Sequence, residues 1–448
     1  MIFLEFTIII ACLLLGTRFG GLGLGVISGI GLLLLTFVFG LYPGEPPVNV
    51  MLTIMAVIAC ASILQTAGGL NVLMRFAEKL LRKHPKYITI LAPLATWTLT
   101  VLCGTGHVVY TMFPIIYDIA IKKNIRPERP MAVASVASQL GICASPMSVA
   151  VVSMISILGS AHGLTHVISL IDLLKVAIPS SFVGVLIAAI WSLRRGKNLE
   201  DDKEFQEKIK DPENEAYIYG GAKSTLLNEK FSKHAYLSLI IFFFAIAIVV
   251  LLGAFEFLRP HIMVNGKEKI LSMNLSIQML MLAAGAFILM FCKVVPREIP
   301  NSAIFKAGMV AVISVFGVAW MADTFFHAHF QLLEHILEDV VKTKPWTYAI
   351  VLFLVSKLVN SQAAAIAAIA PMGMSLGVDP KIMVAFLPAA YGYFVLPTYP
   401  SDLACIGFDR SGTTSIGKYV INHSFIIPGL IGVSTSCFIG YFLVKIAF

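Results

Sequence analysis

Charge is scarce in this chain. Of its 448 residues only 13% are Asp, Glu, Lys or Arg, 58% are hydrophobic, and the mean hydropathy is +0.87. A soluble domain carries about 25% charged residues, so this composition excludes a protein folded wholly in water. Cysteine is also sparse. Cys12, Cys60, Cys103, Cys143, Cys292, Cys405 and Cys437 stand apart, with no CxxC and no Cys/His cluster. That excludes a disulfide framework and a zinc site, and the thiols read as small buried hydrophobes. HExxH, GxSxG and Walker A motifs are missing, and with them the usual hydrolytic and nucleotide-dependent chemistries. The net charge of +8 comes without the basic, aromatic-laced face that nucleic acid requires. No cofactor and no metal is expected. Met1 to Leu15 lacks a basic n-region and an A-x-A site, so it is expected to be a retained first span, not a cleaved signal.

What remains is a series of long apolar runs separated by short polar loops, the pattern of an all-α polytopic membrane protein. Lys and Arg gather in Arg75 to Lys86, Lys122 to Arg129 and Arg194 to Lys197, which the positive-inside rule puts in the cytoplasm. Pro43 to Pro47, Gly159 to Ser169 (with His162 and His166) and Phe326 to Lys344 lack that excess and suit the outside. Tyr87 to Leu102 and Val108 to Ala120 are apolar, and both outer ends meet basic loops. The stretch must enter and leave by one face. It is therefore expected to be a re-entrant hairpin with residues 103–107 at its tip. Met131 to Leu158 follows as a span broken at Ala144 to Ser148.

The second half repeats this order. Trp346 to Val359 and Ala363 to Met374 are hairpin arms around tip 360–362, and Ile382 to Ile406 is a span broken at Pro397 to Ser401. Residues 1–195 and 234–448 thus form two repeats, each of five spans and one hairpin, joined by a polar connector, 196–233. That connector is expected to be solvated, with a short helix before Pro212. An odd span count turns the second repeat upside down, the inverted-repeat plan of secondary transporters. It also puts both termini in the periplasm.

Polar residues inside apolar sequence mark the candidate site. A membrane tolerates non-helical backbone only where protein or a water-filled cavity surrounds it. Thr105, Gly106 and His107 form the first tip, and Asn360, Ser361 and Gln362 the second. Ser145, Ser148, Thr398, Ser401 and Asp402 sit at the two breaks. Each tip starts a helix whose free N–H groups and positive end attract anions. A short molecule with a carboxylate at each end would fit between them. Such tips also hold Na⁺ through carbonyls, so the pattern alone does not choose. Lys357 lies one turn before Asn360. A lysine inside a membrane costs about 2.5–3.5 kcal/mol and marks function by default; pairing with Asp402 is the structural alternative. His107 suits either a carboxylate or a coupling proton. Tyr391 and Tyr393 are assigned to packing.

At these residues the chain resembles the Dcu family of anaerobic C4-dicarboxylate transporters, its DcuB-type branch most of all. The resemblance rests on 102–111 (LCGTGHVVYT), 124–130 (NIRPERP), 359–365 (VNSQAAA), 396–404 (LPTYPSDLA) and 408–414 (FDRSGTT). It implies exchange of fumarate, malate or aspartate for succinate across a bacterial inner membrane, with proton-coupled uptake a further mode. It also implies kinship with elevator-type carriers on a dimeric scaffold, and a partnership with a membrane sensor kinase. Two other classes stay open: a cation-coupled carrier of another organic anion, and a membrane protein that binds dicarboxylate for sensing without flux. Substituting Lys357→Ala should abolish transport while leaving the amount of membrane-inserted protein unchanged. Full transport by that variant would remove Lys357 from the substrate site.

Overall fold

The computed structural model describes residues 1–19, 22–159, 168–220, 225–227, 229–264, 267–329, 344–397, 399–417 and 422–447. The expected outer loop with His162 and His166, most of the amphipathic stretch after Phe326, and Thr398 lie outside these. Among the described residues the regular structure is helical except for one antiparallel hairpin, β1 (His261–Val264) with β2 (Lys267–Ile270), which the all-helical expectation did not contain. Eight helices are long and apolar enough to cross a membrane, among the described residues.

Three helices open the chain: α1 (Ile2–Phe19), α2 (Gly23–Leu33) and α3 (Val48–Thr66). The amphipathic α4 (Gly69–Lys83) then leads to a helix–tip–helix pair, α5 (Ile88–Cys103) and α6 (Val108–Lys122). An interrupted helix follows, α7 (Glu128–Leu140) and α8 (Val149–Gly159), then α9 (Leu170–Ser192). The remainder has the same order. It runs α12 (Lys233–Ala254), α13 (Met273–Phe291), α14 (Ala303–Ala328), the pair α15 (Trp346–Val359) and α16 (Gln362–Ser375), the interrupted α17 (Pro380–Ala385) and α18 (Pro400–Phe408), and α19 (Ile426–Ala447). Helix starts follow local chemistry. Ser232, Ser272 and Ser302 each accept a backbone N–H of the first turn, and Ser169 with Asp172 forms a capping box. Glycine sets one crossing: a Cβ on Gly25 would come 2.1 Å from the Ile313 carbonyl oxygen, and one on Gly317 2.0 Å from the Gly25 oxygen. Only Gly allows α2 and α14 to approach so closely.

One expectation is corrected and one extended. The second interrupted helix is far more open than a break at Pro397 to Ser401. It stops at Ala385, passes through short 3₁₀ turns at Leu387–Ala390 and Tyr393–Val395, and resumes at Pro400. Pro388 offers no N–H to continue the ladder, and the Gly392 N–H bonds Ser356 Oγ at 2.7 Å instead. The polar connector is mostly exposed and carries the short helix before Pro212, α10 (Lys203–Lys208), followed by α11 (Pro212–Tyr219), but it is also docked: Phe205 and Ile218 of these helices are buried. Two apolar anchors hold the helices down while most of the charges stay in water.

The docking surface is built from basic loops. Arg126 meets Asp202 at 2.6 Å and Glu128 at 2.9 Å, and Arg195 meets Glu128 at 2.9 Å. The Tyr117 hydroxyl donates to the Ile218 carbonyl at 3.0 Å, and Arg410 lies over the Tyr217 ring. Farther along, buried Glu78 accepts from Arg82, from the Thr225 hydroxyl and from the Leu226 N–H. Asp409 accepts from the Ser411 and Thr413 hydroxyls and the Thr414 N–H, which accounts for the polar turn after α18. The C-terminal end of α14 is tied differently. Glu5 is paired with His329, and Asp323 accepts from the Glu45 N–H.

Burial pushes the Asp202 carboxyl up, but the hydrogen bonds from Arg126 and the Phe205 and Glu204 amides outweigh it and hold the group below its ordinary range. A depressed carboxylate stabilises the docked state above the unfolded pKa and loses that contribution as pH falls through the depressed value. Arg126→Gln should therefore speed amide exchange in 203–219 roughly tenfold, about 1.4 kcal/mol. In the native chain the same protection should persist at neutral pH and fade only in the acid range below ordinary carboxylate titration. Unchanged exchange in the variant would show that the apolar anchors alone hold the connector.

Candidate functional site

The two tips line one cavity of about 520 Å³. At the first, Gly104 takes the left-handed φ of +72° that ends α5. A Cβ on Gly106 would come 2.7 Å from Gln139 Nε2, so the tip sits hard against the end of α7. The Thr105 hydroxyl and His107 Nδ1 are 2.8 Å apart, and no side chain caps the N-terminus of α6. At the second tip Asn360 is left-handed, with φ +48°, and Ser361 caps α16 by accepting from the Ala364 N–H at 3.3 Å.

The residues of the second tip also replace backbone partners that the interruptions remove. Gln362 Nε2 donates to the Gln139 carbonyl at 2.9 Å, satisfying a C-terminal carbonyl of α7. Lys357 Nζ donates to the Leu396 and Tyr393 carbonyls at 3.2 and 3.4 Å, and to Asn360 Oδ1 at 3.2 Å. The Tyr393 hydroxyl donates to Gln139 Oε1 at 2.6 Å and lies 3.3 Å from Gln362 Nε2. One buried network thus joins both interrupted helices to the second tip.

Of the residues expected from sequence, Thr105, Gly106, His107, Asn360, Ser361 and Gln362 line the cavity together. Lys357 and Asp402 lie behind that lining. Asp402 is fully buried, accepts from the Ser135 hydroxyl at 2.7 Å through Oδ1, and has no hydrogen-bond partner at Oδ2 among the described residues. Ser401 is buried, with its hydroxyl 3.1 Å from that of Ser135. Ser145 and Ser148 are buried too and face backbone: Ser148 Oγ accepts from the Val151 N–H at 3.2 Å. Thr398 lies outside the described residues.

Sequence reasoning missed Gln139, Ser135 and the second role of Tyr393. Tyr393 does pack, with its ring 4.5 Å from that of Tyr399, but its hydroxyl belongs to the network and both tyrosines line the cavity. The signal was present: a glutamine inside a long apolar helix is as anomalous as the lysine at 357. The far wall is mostly apolar, with Val57, Ile58 and Ala61 of α3 and Ala307, Gly308, Val310 and Ala311 of α14, flanked by Lys306 and Ser314.

Interrupted helices meeting tips at a cavity inside a bundle of apolar spans define a multi-pass membrane transporter. Comparison with known proteins agrees. A family model described as "Anaerobic c4-dicarboxylate membrane transporter" (DcuA_DcuB) matches residues 1–448. The chain belongs to that family. It is 55% identical over 438 residues to the anaerobic C4-dicarboxylate transporter DcuB of Escherichia coli O6:H1, covering 98% of this chain and 97% of that one. Identity to the C4-dicarboxylate transporter DcuA of Wolinella succinogenes is 37%, with both chains covered fully. Among solved structures it resembles the YdaH transporter of Alcanivorax borkumensis (TM-score 0.55, 16% identity, 93% of this chain and 88% of that one). It also resembles MtrF of Neisseria gonorrhoeae, presented with a class of antimetabolite efflux pumps (TM-score 0.53, 15% identity, 87% and 80%). At those identities the two speak for the fold alone.

Replacing Gln139 by Leu would leave the Tyr393 hydroxyl without its acceptor in a buried site, at a cost of about 1–3 kcal/mol, while the Gln362 amide keeps the backbone carbonyl of residue 139. The variant should unfold at lower temperature in detergent and lose most transport, and Tyr393→Phe combined with it should cost less than the two changes separately. Strict additivity would break the proposed network.

Proposed function

We propose that this protein is a secondary carrier that exchanges C4-dicarboxylates, taking up fumarate, malate or aspartate against succinate across a bacterial inner membrane. The observation that carries the reading is the shared cavity. Two tips from opposite ends of the sequence face it with hydroxyl, amide and imidazole groups, and no Asp or Glu is among the described residues that line it. The α6 N-terminus adds a positive helix end; its His107, Val109 and Tyr110 N–H groups bond the Thr105 hydroxyl and the Gly106 and His107 carbonyls within the tip. A volume of about 520 Å³ exceeds what a four-carbon diacid fills and leaves room for its water. The named relatives carry C4-dicarboxylates in their descriptions, which supports the substrate class.

The parallel order of elements in 1–195 and 234–448 supports inverted repeats with both termini in the periplasm. In that reading the two tips and interrupted helices travel together as an elevator past a scaffold built from α1–α3 and α12–α14, in a homodimer. The second reading, cation coupling, is favoured by one observation: the buried Asp402 Oδ2 lacks a hydrogen-bond partner among the described residues. It would suit a proton or Na⁺ that accompanies the substrate.

Proteoliposomes loaded with succinate should take up labelled fumarate several-fold faster than empty ones, and aspartate and malate should compete. Equal uptake by empty vesicles would reject exchange. A strict Na⁺ requirement, or uptake driven by an inward proton gradient alone, would favour the coupled carrier. Saturable binding without flux would leave a sensing role, with a membrane sensor kinase as partner.

A further inference from the structure

We infer that Lys306 is a side-specific steering residue: a fixed cation at the cytoplasmic mouth of the cavity that attracts dianions from that face only. The inference rests on the exchange reading above and adds to it a residue with a sided role. Lys306 lies in the first turn of α14, beyond the Ser302 cap, and is exposed to solvent while lining the same cavity as the tips. Among the described lining residues it is the sole Lys or Arg, and none is Asp or Glu. A diacid approaching through this mouth therefore meets one positive charge and no opposing one.

Local helix energetics do not account for the position. The first turn of a helix carries the positive end of the macrodipole, so a lysine there is mildly unfavourable where an acid would help. No carboxylate lies within ion-pairing distance of it among the described residues. An unfavoured, unpaired cation at the rim of an anion-suited cavity is explained by what passes through that rim.

Its sidedness follows from what holds α14. The Ile304 N–H donates to Gln65 Oε1 at 3.0 Å, tying this end of the helix to the end of α3, just before α4 with its Arg75, Lys79, Arg82 and Lys83. The other end of α14 is bound to the loop before α3: the Thr324 hydroxyl accepts from the Gly44 N–H at 3.0 Å, and Asp323 from the Glu45 N–H at 2.9 Å. By the positive-inside rule the Lys306 end is cytoplasmic. At its other end α14 carries the half-buried Asp323 and no Lys or Arg in its last turn. The two ends of α14 thus differ in charge, with the lysine at the end that lines the cavity.

The test uses the full-length carrier, reconstituted in one orientation, with exchange initiated from either side. Lys306→Gln should raise the cytoplasmic-side KM for succinate roughly five-fold relative to the periplasmic-side KM, the size expected of one solvated charge acting on two. The salt dependence of the cytoplasmic-side rate should flatten at the same time, and Lys306→Arg should restore both. Should Gln be poorly tolerated, Lys306→Cys serves instead. A positively charged thiol reagent should lower its cytoplasmic-side KM and a negatively charged one raise it further. Equal KM changes on both faces, or no change in either KM or salt dependence, would overturn the inference and leave Lys306 as a lysine reaching for the interface. A native carrier that exchanges no dicarboxylate from either side would overturn the exchange reading itself.

Discussion

A backbone N–H or C=O in an apolar medium must find a partner inside the protein, at a cost of several kcal/mol when it does not. This chain breaks that rule on purpose twice, after Leu140 and after Ala385, and the rest of the site exists to repair the breaks. Gln362 takes the Gln139 carbonyl, Lys357 takes those of Tyr393 and Leu396, and Ser356 takes the Gly392 N–H. All three donors or acceptors lie on or beside the second tip. The same segment therefore lines the cavity and holds the interrupted helices open. Binding groups and scaffold cannot be separated here, because each polar side chain in the bilayer must be fully satisfied or it destabilises the fold.

The first tip depends on absence of side chain instead. Gly104 and Gly106 allow the turn to press onto Met147 and Gln139, where any Cβ would collide. The α6 N-terminus is left without a side-chain cap and the Thr105 and His107 side chains engage one another. One tip is thus a set of donors locked into the network, and the other a helix end facing the cavity whose first N–H groups bond oxygens of the tip itself. That asymmetry suits a substrate with two like charges held in two different ways, one by a positive helix end and one by fixed amides and hydroxyls.

The ionic face around Arg126, Glu128, Arg195 and Asp409 adds a second layer of order. It gathers the ends of α6, α7, α9 and α18 with the connector helices, so the connector is tied to the first interrupted helix and to the turn after the second. Among the described residues, the α3 and α14 wall that faces the tips is mostly aliphatic, with Lys306 and Ser314 its polar members.

Membrane class, the two tips, the first break and the basic face were legible in residue order, because a polar or helix-breaking residue inside an apolar run has few permitted explanations. Thr105, His107, Asn360, Ser361 and Gln362 could be named from that anomaly alone. Docking of the connector was hidden, since two apolar anchors do not register against a charge-rich background. The extent of the second break was hidden as well: Leu387 to Val395 reads as one more hydrophobic run, and it stays non-helical only because Ser356, Lys357 and Cys143 supply bonds from elsewhere in the chain. Composition and spacing determined that this chain crosses a membrane and carries two polar tips. Tertiary structure decided which buried groups meet. The pairing of Gln139 with Tyr393, 254 residues apart, is a matter of packing geometry that no local pattern encodes.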